Sequence, residues 1–126
     1  MKEILTVIRM NMILSTKRAL SNAGIMSMTA KEALGRGKGM VDLSLLKGAE
    51  KGYEEAISQL GQTQRLIPKR ILFCIVPDKL VKKTIKTIIK INQTGKSGDG
   101  KIFVMPINDS INVRMGARGD MALDEA

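Results

Sequence analysis

Thr94-Gly-Lys-Ser-Gly-Asp-Gly-Lys-Ile-Phe-Val104 places three glycines at i, i+3 and i+5 and then opens into an apolar, β-type segment. Glycine carries the backbone through φ > 0 and allows close approach to a ligand. Successive exposed N–H groups in such a turn form an anion-binding concavity, and the adjacent Lys96 and Lys101 favour phosphate. A plain tight turn ahead of a strand has the same composition. The order is not that of a P-loop, where the glycines precede a helix and Ser or Thr follows the lysine. Asp99, set between two glycines, suits turn formation better than base chemistry.

Outward from this turn, residue patterning predicts a strand at Glu3–Met10, a helix at Ile13–Ala23 and a strand at Ser27–Leu34. A second set follows: strand Leu66–Val76, helix Lys79–Asn92 with Pro77-Asp78 capping its start, and strand Lys101–Pro106. A short extended piece, Ile111–Met115, precedes a polar tail over residues 116–126. The order βαββαβ is that of an α+β, ferredoxin-like sandwich. Its two halves each hold one strand-helix-strand unit without a convincing sequence repeat. The 126 residues suit a single domain with one core, built from Ile, Leu, Val, Ala and nine Met because there are only two Phe, one Tyr and no Trp.

Composition narrows the chemistry. Cys74 lies in the apolar run Ile71-Leu-Phe-Cys-Ile-Val76 and reads as a buried strand residue; a lone cysteine cannot form an internal disulfide, which fits a reducing compartment. The absence of histidine excludes conventional His/Cys metal sites and His-based catalysis, and no metal site is expected. No apolar run reaches the ~20 residues of a membrane span. Met1–Arg9 alternates like a strand rather than a signal peptide, so a cytoplasmic protein is expected. The net charge of +9 is concentrated in part on Lys79, Lys82, Lys83, Lys86 and Lys90, opposite the apolar Val81, Ile85, Ile88 and Ile89. This is either a solvated helix face or an electrostatic footprint. With almost no aromatics for base stacking, a nucleotide or an acidic protein is the expected partner and a nucleic acid is not.

The stretch between the middle strands, residues 35–65, is far longer than the two to five residues of a hairpin connection, and such loops are usually functional. Within it Tyr53, Ala56, Ile57 and Leu60 fall at i, i+3, i+4 and i+7, opposite Glu54, Glu55 and Ser58 and between Gly52 and Gly61. That spacing predicts a short amphipathic helix. Its apolar face either packs on its own protein or is offered to a foreign one.

The run Thr94–Val104 resembles, residue for residue, the C-terminal signature of the PII nitrogen-signalling family. Met1-Lys-Glu-Ile-Leu-Thr-Val-Ile-Arg9 resembles that family's first strand, and Ala19-Leu20, Gly24-Ile25 and Met28-Thr29 its first helix and second strand. Gly35 and Gly37 match its Gly-x-Gly, Lys47-Gly-Ala-Glu50 part of its long T-loop, and Pro68-Lys69 its third-strand entry. The resemblance implies a regulatory trimer rather than an enzyme, binding ATP or ADP, with or without Mg²⁺, in clefts between subunits. It implies phosphate contacts from Gly98, Asp99, Gly100 and Lys101 and from Gly35, Gly37 and Lys38, with Thr29 at the base end. The neighbouring subunit usually adds two arginines; Arg114 fills one place and Asn112 the other. Phe73 stands where a common acidic contact to the adenine edge would be. Lys69 would pair with a carboxylate of 2-oxoglutarate, but the glutamine that bridges Mg²⁺ in the family is missing from Gly35-Arg-Gly-Lys-Gly39. A lysine cannot replace an amide oxygen as a metal ligand. Weak or absent 2-oxoglutarate binding by this chain alone is therefore expected.

The tyrosine that bacterial members nucleotidylate is also missing: Lys51 follows Glu50, and Tyr53 sits two residues on. The altered loop, its length and the Gly-Arg-Gly-Lys-Gly run are similar to the second member of the PII pair encoded with nitrogenase in archaea and some anaerobes. That likeness implies assembly with a sister PII chain, as a trimer or a larger species, and direct inhibition of the dinitrogenase component, relieved by 2-oxoglutarate. Loop contacts would come from Lys47, Lys51, Tyr53, Ile57 and Leu60. The alternative is a PII adaptor acting on another target, such as an ammonium channel or glutamine synthetase. A nucleotide-hydrolysing enzyme is not favoured, because Asp99 is the only carboxylate beside the signature turn.

Overall fold

Period-two alternation in Lys2–Arg9 produces strand β1, whose Ile4, Thr6 and Ile8 are buried while Leu5, Val7 and Arg9 face the other way. The computed structural model describes residues 1–37 and 66–125. A 3₁₀ turn at Met10–Met12 leads into helix α1, Ile13–Asn22, which ends where Gly24 adopts φ +91°. Strand β2 is Thr29–Gly35 and strand β3 is Ile67–Val76. A second 3₁₀ turn, Asp78–Leu80, precedes helix α2 at Val81–Asn92, and strand β4 is Lys101–Pro106. The four strands form one antiparallel sheet in the order β2-β3-β1-β4. Among the described residues, two α-helices and a four-stranded sheet make the expected α+β, ferredoxin-like arrangement.

Register decides which residues share a face. Leu5 lies opposite both Phe73 and Phe103, and Val7 opposite both Ile71 and Lys101. The other face carries Ile4, Leu72, Cys74 and Val76, which pack with Leu20, Ile25 and Ile88 into the core. The helices thus cover one side of the sheet. Phe103, on the opposite side, is half exposed.

Three local expectations change. Asp78 makes no side-chain cap to α2; its carboxylate lies 3.1 Å from the Met1 amino group and 3.9 Å from Lys2 Nζ, an alternative that the strand-end geometry makes available. On α2 the fully buried positions are Thr84, Ile88 and Asn92, with Ile89 44 % exposed. The helix rolls toward α1 because Asn92 Nδ2 donates to Thr16 Oγ1 at 3.0 Å and to the Ile88 carbonyl at 2.9 Å. The extended piece at Ile111–Met115 is confined to Ile111, which pairs with Arg118, while Gly116 N–H donates to the Asn112 carbonyl at 2.7 Å and closes a turn. The predicted helix at Tyr53–Leu60, and with it Lys38, Lys47, Lys51, Tyr53, Ile57 and Leu60, lies outside the described residues.

Candidate functional site

The signature turn is shaped from inside by one carboxylate. Asp99 Oδ2 accepts the backbone N–H groups of Thr94 at 2.7 Å and Gly95 at 3.0 Å. Its Oδ1 accepts the Thr94 hydroxyl at 2.5 Å and Arg9 Nη1 at 2.8 Å. The Thr94 hydroxyl, the Thr94 N–H and the Arg9 guanidinium together hold this carboxyl well below the usual carboxylate range. Its oxygens are thereby used within the turn, in keeping with the turn-forming role expected from the sequence. Arg9 Nη2 also donates to the Ser97 carbonyl at 3.0 Å, tying the turn to the end of β1.

Glycine is required here for two distinct reasons. Gly95, Gly98 and Gly100 all adopt positive φ, at +83°, +94° and +117°. At Gly100 an added Cβ would fall 2.1 Å from the Val7 carbonyl oxygen, which is fixed in the β1–β4 ladder. The loop therefore presses its backbone directly onto β1.

Beside this turn lies a cleft of about 290 Å³ on the sheet face away from the helices. Gly35 and Gly37 bound it on one side and Gly98 and Gly100 on the other, with Val7 and Phe103 beneath. Three cationic side chains, Arg36, Lys69 and Lys101, line it, and among the described residues no carboxylate does. Lys69 is 8 % exposed, and its stem packs against Gly35. Among the described residues it pairs with no acid. An apolar floor beneath glycine backbone and three cationic side chains suits an anion attached to an apolar body. Among the described residues, no group of His, Cys, Asp and Glu side chains comes together that could hold a metal ion.

The expected site residues thus divide. Gly35, Gly37, Gly98, Gly100, Lys101 and Lys69 come together in one cleft. Thr29 does not join them: it starts β2 opposite Phe73, at the far end of that strand from Gly35, and borders a second cleft with Phe73 and Ile75. Arg114 sits on the exposed turn after Ile111, with Nη2 3.8 Å from the Met115 sulfur. Sequence reading missed Arg9 and Arg36. A lone arginine closing an apolar strand was the available signal for the first, but its partner lies 90 residues away and only strand register joins them. Arg36 was visible inside Gly35-Arg-Gly and was passed over as a spacer.

On the sheet face toward the helices, burial, followed by the charge of Glu125, pushes the Cys74 thiol up to about 11. This agrees with an inert core residue.

A four-stranded ferredoxin-like sheet thus carries a glycine turn beside a cationic cleft. Residues 1–117 match the model of the family described as Nitrogen regulatory protein P-II, and the chain belongs to that family. It is 43 % identical over 123 residues to "Nitrogen fixation nifHD region glnB-like protein 2" of Methanococcus maripaludis, covering 98 % of this chain and 100 % of that one. It is 40 % identical over 126 residues to the "Nitrogen fixation nifHD1 region GlnB-like protein 2" of Methanosarcina barkeri, covering 98 % and 99 %. A "Nitrogen regulatory protein P-II" of Haemophilus influenzae is 35 % identical over 123 residues, covering 98 % and 100 %. The chain is a P-II-family nitrogen regulator. Among the described residues no helix is long and apolar enough to cross a membrane.

Proposed function

We propose that this chain is a non-enzymatic nitrogen and energy sensor that binds ATP or ADP at the glycine-lined cleft and, with a sister PII subunit, inhibits nitrogenase by direct contact. The cleft itself carries the reading: four glycines on its rim and the cationic Arg36, Lys69 and Lys101, above an apolar floor. Lys101 and Arg36 would meet phosphate oxygens, and the glycines let the backbone come close to them. Thr29 and Arg114 do not line this cleft; on this reading they serve the sites shared with neighbouring subunits. A trimer built on the open sheet face satisfies that requirement. Buried Lys69 is placed to pair with a carboxylate of 2-oxoglutarate, the signal that relieves inhibition. Without a metal-bridging glutamine beside it, the isolated chain binds that acid weakly and the assembled pair binds it well. The nif-region names of the relatives support nitrogenase as the target.

Calorimetric titration of ATP tests the cleft. A charge-assisted contact contributes about 1.5–3 kcal/mol, so Lys101→Ala weakens binding by roughly ten- to a hundredfold. Unchanged affinity in that variant removes the assignment.

A further inference from the structure

We propose that residues 119–125 form a plug that this chain seats at the Thr29 end of the nucleotide site it shares with a neighbouring subunit and that nucleotide must displace. The inference rests on the nucleotide reading given above, and it concerns a stretch beyond residue 117, where the match to the family ends.

The plug is anchored at its start and seated at its end. Arg118 Nη1 lies 3.2 Å from Asp109 Oδ2, and the Gly119 N–H donates to the Ser110 carbonyl at 2.9 Å. From Gly119, at φ +73°, a 3₁₀ turn over Gly119–Ala122 redirects the chain toward the start of β2. There Ala122–Glu125 close over Thr29, Phe73 and Ile75, the cleft bordered by Thr29 described above. Glu125 Oε1 accepts the N–H groups of Met26 at 3.0 Å and Ser27 at 2.7 Å. Those two N–H groups lie three and two residues before Thr29, and Phe73 lines the same cleft as Ser27 and Thr29. A purine ring presents the same chemistry as the plug: in-plane nitrogen acceptors for backbone N–H groups and a flat apolar body for a phenyl ring. One site cannot hold both.

The seat is also poised for release. Among the described residues Glu125 Oε2 is buried without a hydrogen-bond partner, and a half-satisfied carboxylate is costly to keep from water. The plug therefore sits in a shallow well that a better-matched ligand can empty. If it is seated about nine-tenths of the time, it lowers apparent nucleotide affinity about tenfold.

The test uses the full chain. Glu125→Ala removes the acceptor, and hydrogen exchange at the Met26 and Ser27 amides accelerates. ATP then binds Glu125→Ala about tenfold more tightly than the parent. A spin label at Met121→Cys, a position 84 % exposed, is restrained without nucleotide and becomes mobile when ATP is added. A label already mobile without ATP, or equal ATP affinity in the parent and Glu125→Ala while Lys101→Ala weakens binding, overturns the plug and leaves the nucleotide reading standing. Absence of ATP binding in both the parent and Glu125→Ala overturns the two together.

Discussion

Arg9 Nη1 lies 2.8 Å from Asp99 Oδ1 while Nη2 of the same guanidinium donates to the Ser97 carbonyl at 3.0 Å. One side chain at the end of β1 thus holds both the acid and the backbone of the signature turn. Asp99→Asn keeps the volume but removes the charge, so the turn loosens and ATP affinity falls at least severalfold. The folded-state pKa of Asp99 lies below its ordinary value of 3.8. Its contribution is therefore fully present above that value and is lost as pH falls further through the depressed one. Thermal melts of parent and variant should differ most near neutrality and converge at the acid end, below about pH 4. A difference that stays constant down to pH 2 assigns no role to the carboxylate charge.

Gly100→Ala is expected to be among the most damaging single-methyl changes in the chain. The new Cβ meets the Val7 carbonyl oxygen at 2.1 Å, and the backbone is at φ +117°. Neither the ladder nor the turn can yield cheaply, so a loss of about 2–4 kcal/mol is expected. Urea denaturation reads it as a lower midpoint. Gly37→Ala, with nothing within 4 Å of its Cβ, serves as the tolerated control.

Among the described residues, no helix lies over the face carrying Leu5, Val7, Ile71, Phe73 and Phe103. Phe103→Asp places a charge there at a residue already 50 % exposed, which leaves the isolated fold intact. Burying that charge between subunits would cost several kcal/mol. Sedimentation should show monomers in place of trimers, with far-ultraviolet circular dichroism unchanged. Trimers that persist in the variant place the subunit contact elsewhere.

Tyr53 heads the apolar spacing Tyr53, Ala56, Ile57 and Leu60 in the long loop. An aromatic anchor at a protein interface often contributes 2 kcal/mol or more. Tyr53→Ala should abolish nitrogenase inhibition while oligomer size and ATP affinity stay at parental values. Inhibition at the parental concentration shows that the target contact lies outside this loop.

Much of the architecture was legible because it rests on local rules. Alternation marked β1 and β3, and the 3.6-residue period marked α2. The glycines of the signature turn were legible from spacing, and the family resemblance pointed to Lys69. What escaped was non-local. That Arg9 meets Asp99 follows from β1–β4 register, which no local pattern encodes. The inward position of Asn92 on α2 escaped for a related reason: its burial is justified only by Thr16, on another helix, to which it donates. Sequence reasoning assigned that face to Ile89, the better hydrophobe, and the polar contact overrode it.

The closure of Gly100 onto Val7 has a kinetic consequence. Arg9 and Val7 leave the ribosome early, whereas Asp99 and Gly100 follow some ninety residues later. Because β4 docks on β1 and not on its sequence neighbour β3, closing that loop carries a large entropic cost that is recovered only at the end. The glycine cleft should therefore be the last part of the molecule to assemble. A nascent or truncated chain lacking β4 would have its helices and central strands but no capacity to sense, so the regulator stays silent until its synthesis is nearly complete.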